Sequence, residues 1–84
     1  MINQVLAEAL LSMAVALNIS EDDEVDGAFA TTVLDDLATS LERLTAEDRR
    51  DLVAIARRMA AQEPDEERRE ALEDIPDDLD LLDD

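Results

Sequence analysis

Gly27, Pro64 and Pro76 are the only glycine and prolines in the chain, and no other feature limits its folding as much. Sheet proteins need repeated tight turns, and those turns draw on glycine and proline for their special backbone angles. Here 84 residues carry three such breakers, and no segment alternates apolar and polar side chains at a period of two. The chain should therefore be helices joined by short connections, within one small domain. The expected fold is all-α: a small bundle of four short helices over residues 1–76, followed by an acidic C-terminal tail over residues 77–84.

The first helix is expected over about residues 2–18. Its polar positions Gln4, Glu8 and Ser12 share one narrow stripe, and almost everything else on it is apolar. Such a helix needs cover on several sides, from its own bundle or from a second copy, so a homodimer through this helix is one expectation. An acidic connection, residues 20–26, follows, with Ser20 and Asp23 spaced as a cap for the second helix. That second helix has the cleanest periodicity in the chain. Val25, Phe29, Val33, Leu37, Leu41 and Leu44 recur every three or four residues and are expected to form one seam. Thr45 with Asp48 should cap the third helix after a tight corner at Leu44, and Leu52, Ile55, Ala56 and Met59 should form its inner face. That helix should stop near Gln62, because Pro64 pushes Glu63 away from helical angles. Pro64 is expected to start the fourth helix and Pro76 to close it, with only Ala71, Leu72 and Ile75 facing inward. By this reading the first two helices supply most of the core and the fourth is the weakest.

Composition enters through what it lacks. Cysteine, histidine, tryptophan, tyrosine and lysine are absent, and Phe29 is the only aromatic. Thiolate and imidazole chemistry is thereby excluded, and with it the usual zinc sites and nucleophile relays. One glycine and no lysine cannot build a phosphate-cradling loop. Paired carboxylates could still transfer protons, but they need a cleft, and a domain this small has little interior to spare. The expectation is no enzyme, no cofactor and no resident metal.

Charge is uneven along the chain, which carries 24 acidic residues against seven arginines, a net charge of −17. Residues 1–42 hold nine acids and no base, residues 43–70 hold eight acids and all seven arginines, and residues 71–84 hold seven acids and no base. Nucleic acid, itself anionic, is not an expected ligand. No membrane association is expected either: the apolar stretch from Val5 to Ile19 is shorter than the roughly 20 residues a span needs and contains Glu8. With no basic residue before that stretch to mark a signal peptide, a cytoplasmic location is expected.

Three resemblances bear on function. Asp22-Asp23-Glu24-Val25-Asp26-Gly27-Ala28-Phe29 resembles the first part of an EF-hand loop, with acids at loop positions one, three and five followed by glycine. The resemblance implies calcium, but the twelfth position, a glutamate in the full motif, is Val33. Leu34-Asp35-Asp36-Leu37-Ala38-Thr39-Ser40-Leu41 resembles the attachment site of acyl carrier proteins. It departs from that pattern at Ala38, at Thr39 and in being one residue short. In size and charge the chain is similar to small helical colicin-type immunity proteins, without their tyrosine-containing motif.

The leading functional expectation is a non-enzymatic acidic protein that binds and masks a basic protein partner, in the manner of an immunity or antitoxin-type inhibitor. Asp22, Asp23, Glu24, Asp26, Asp35 and Asp36 are the expected anionic contacts, because like charges on so short a chain oppose its own folding and call for a cationic counterpart. In the tail, Leu79, Leu81 and Leu82 either enter a partner's groove or cover the open end of the bundle. The alternative is a dimeric helical adaptor or structural interaction protein whose charge serves solubility alone, with the tail or an apolar groove as its recognition element, and a calcium binder is third.

Overall fold

A computed structural model describes residues 2–21, 23–79 and 81. It has four helices, α1 (Gln4–Ile19), α2 (Gly27–Leu41), α3 (Ala46–Gln62) and α4 (Glu66–Asp78), and no strand among the described residues. The all-α class and the helix number agree with the sequence reading. The Cα radius of gyration is 12.4 Å, close to the roughly 12 Å expected of one compact domain this long.

Each helix begins at a side-chain oxygen that takes up an otherwise unpaired backbone N–H. Asn3 Oδ1 accepts from Leu6 N at 3.1 Å, and Asp26 Oδ1 accepts from Ala28 N at 2.8 Å. Thr45 Oγ1 accepts from Asp48 N at 3.1 Å, the cap its spacing predicts. Asp65 Oδ2 accepts from Arg68 N at 3.1 Å. Two starts differ from expectation. Ser20 does not cap α2 but donates to the Leu17 carbonyl at 2.8 Å, finishing α1. The Glu21 carbonyl then accepts from the N–H groups of both Glu24 and Val25, and this separate turn leaves Asp26 to cap α2. Pro64 does not open α4 either. It holds Glu63 extended at ψ 119°, and Asp65 takes the cap two residues beyond.

The core lies among α1, α3 and α4, and this corrects the expectation that the first two helices supply most of it. Leu11 and Val15 from α1, Leu52, Ile55 and Ala56 from α3, and Leu72 and Ile75 from α4 are all buried in one cluster, which also takes in Leu79 and Leu81. From α2 only Leu41 joins the buried cluster, and its main packing is against α1. Of the expected seam, Leu41 is buried, Val25, Val33, Leu37 and Leu44 are half-buried, and Phe29 is 60% exposed. The reason is rotational. Ala30 and Leu41 face inward on α2, and Phe29 sits one residue, about 100° of helix rotation, from Ala30.

Pro76 does not close α4, which continues to Asp78. A proline inside a helix costs about 3 kcal/mol, whereas each fully buried leucine or isoleucine contributes about 1.5–3 kcal/mol. Ile75, Leu79 and Leu81 are each 2% exposed or less, and Pro76 is buried with them, so burial wins. Leu79 N donates to Ile75 O at 2.9 Å, and Leu81 N donates to Pro76 O at 2.8 Å. The second is the six-to-one bond of a Schellman-type ending, with the two residues it joins both buried.

Candidate functional site: an acidic edge beside an apolar trough

The expected partner-binding residues separate into three groups. Asp22 and Leu82 lie outside the described residues. Asp23, Glu24, Asp26, Asp35 and Asp36 are exposed, the first three in the turn between α1 and α2 and the last two on α2. Leu79 and Leu81 are 1% and 2% exposed, so they are core residues of this protein and do not reach a partner's groove. Both belong to the same apolar cluster as Leu72 and Ile75 of α4.

Burial and charge then set what the acids can do. None of the buried residues described is polar or charged. Burial, then the Asp74 and Asp77 charges beside it, push the Asp78 carboxyl above the ordinary value of 3.8. Glu63 accepts from Arg68 Nε at 3.2 Å, an ion pair inside the segment that holds the arginines. In the connection, one carboxylate oxygen from each of Glu21, Asp23 and Glu24 lies within 4.8 Å of the others, all three residues exposed. This trio is not the EF-hand set. Asp26 is committed to capping α2, and Gly27 is the first residue of that helix instead of the turn inside a loop. Val33, at the position of the missing glutamate, is half-buried beside α1. Ser40, from the carrier-protein resemblance, is exposed in the last turn of α2.

The residues alone point to an apolar face on the first helix but not to where an apolar surface lies beside these acids. Between α1 and α2 runs a trough of about 240 Å³, lined by Leu10, Met13, Ala14 and Leu17 on one side and Val33 and Leu37 on the other. Met13 is 68% exposed, and Phe29, 60% exposed, lies one helical turn before Val33 on α2. The outward face of α1 carries Val5, Leu6, Ala9, Met13 and Ala16, all exposed and none polar. The signal in the sequence is a first helix apolar nearly all round, a pattern that fits cover by its own bundle or by a second copy equally well. In the folded chain the fully covered face of α1 bears Ala7, Leu11, Ala14 and Val15, and Leu10 and Ile19 are partly covered.

Among the described residues no helix is long and apolar enough to cross a membrane. Compared with known proteins, the chain matches no family model, no curated protein and no solved structure.

Proposed function

We propose that the chain is a non-enzymatic acidic protein that binds a basic protein and masks its working surface, as an immunity- or antitoxin-type inhibitor does. One observation carries this reading. The half of the chain before Arg43 has no basic residue, and Asp23, Glu24, Asp35 and Asp36 stand exposed on it. Such a surface accelerates encounter with a cationic protein and competes for sites built to hold anions. The test is capture from lysate by the wild-type chain and by a variant with Asp22, Asp23, Asp35 and Asp36 all changed to Asn. A basic protein released by rising salt, bound at least about tenfold more weakly by the variant, is the expected result. Equal affinity and equal salt dependence for the two chains would end the reading.

The uncovered face of α1 favours a second reading, a dimeric helical adaptor. Light scattering separates the two: the adaptor requires a tight dimer whose partner affinity ignores salt.

A further inference from the structure

We propose that the trough between α1 and α2 is a docking site for one amphipathic helix of a partner, apolar on the face it inserts and basic along its flanks. This rests on the reading of the chain as a binder of basic proteins and adds where the partner sits and in what conformation.

Shape is the first argument. Leu10, Met13 and Leu17 recur at three and four residues along α1, and Phe29, Val33 and Leu37 recur at four along α2. Each set forms a ridge, and a furrow between two apolar ridges is the surface a third helix packs into. Met13 suits such a wall, because its flexible thioether adapts to differing side chains. The trough has no polar lining residue, so it offers nothing to orient a small polar ligand.

Charge selects the occupant. Every ionisable side chain on α1 and α2 is acidic: Glu8, Asp35 and Asp36. Asp36 is exposed on α2 three residues after Val33, within one helical turn of a lining residue. Glu21, Asp23 and Glu24 lie in the connection that follows Leu17 and precedes Phe29. A second copy would bring the same carboxylates to this rim and a net charge of −17 to a molecule of equal charge. An anionic lipid surface is repelled in the same way. A helix with a leucine-like face and flanking lysines or arginines satisfies both the furrow and the rim.

The probe is a synthetic 18-residue leucine–lysine peptide with one apolar helical face, titrated against the full chain beside a scrambled peptide of the same composition. The amphipathic peptide should bind at least about tenfold more tightly than the scrambled one. It should shift the methyl resonance of Met13 and leave that of Met59 on α3 in place. Exchanging exposed apolar groups by Met13→Gln with Phe29→Gln should bring binding down to the scrambled level, while Val5→Gln, on another part of α1, should not change it. Asp36→Asn should flatten the salt dependence. Equal, salt-sensitive binding of both peptides would overturn the trough as a site and leave the basic-partner reading standing. No binding of either at low salt would overturn both. A stable dimer with Met13 at its interface would replace the partner helix by a second copy.

Discussion

Helices α2 and α4 exchange the roles their sequences suggest. α2 has the most regular apolar spacing in the chain, yet it buries only Ala30 and Leu41. α4 offers few apolar residues within a run of charge, yet Ala71, Leu72, Ile75 and Pro76 are all buried, and Leu79 and Leu81 follow them inward. Periodicity shows that a helix has an apolar stripe, whereas burial depends on how many neighbours that stripe meets. α4 is held by both α1 and α3, and the main packing of α2 is against α1. α2 also spends three side chains on its own backbone: Thr31, Thr32 and Thr39 each donate to the carbonyl four residues earlier, at 2.9–3.0 Å. Such back-bonds slightly weaken and bend a helix.

The most direct way to break this contrast is to truncate one leucine in each helix. Leu72→Ala should cost about 2–5 kcal/mol in urea unfolding, because its side chain is fully enclosed. Leu34→Ala, half-buried on α2, should cost about 1 kcal/mol. Equal costs would mean that α2 is as integral to the core as α4. Removing the caps sharpens the same contrast. Asp65→Ala and Asp26→Ala each lose about 1 kcal/mol of helix stability. For Asp65 the loss should show in global unfolding, and for Asp26 chiefly as faster amide exchange confined to α2.

The smallest effect concerns the end of α4. Burial and the Asp74 and Asp77 charges raise the Asp78 carboxyl in the folded state, so its ionised form opposes folding. That opposition is present at neutral pH, fades as pH falls through the raised folded value, and is gone below the ordinary value of 3.8. Asp78→Asn should thus raise Tm by about 1–2 °C at pH 7 and leave it unchanged near pH 3. A rise of equal size at both pH values would assign the effect to something other than charge.

What could be read from the residues alone follows from how local the deciding physics is. The start of α3 at Thr45 and its stop at Gln62 depend on one hydroxyl and one proline ring, and both are where the sequence places them. The cap of α2 is not legible locally, because Ser20 and Asp26 both carry acceptor oxygens and the intervening turn at Glu21 decides between them. At Pro76 the local penalty is legible, whereas the burial of Leu79 and Leu81 that outweighs it is tertiary. For the candidate site, the exposure of Asp23, Glu24, Asp35 and Asp36 was legible as charge. The trough was not, because a helix apolar nearly all round does not reveal which of its faces is left uncovered.

The packing of α1 against α3 and α4 also has a consequence in time. At roughly 5–20 residues added per second, the ribosome needs several seconds to go from the end of α1 to Leu81. Until α4 is made Leu11 and Val15 lack its cover, and α2 is the first neighbour of α1 to be completed within that interval. The helix that contributes least to the finished core is therefore the first shelter available to the nascent chain, and its loose hold on α1 leaves room for α3 and α4 to complete the bundle when they emerge.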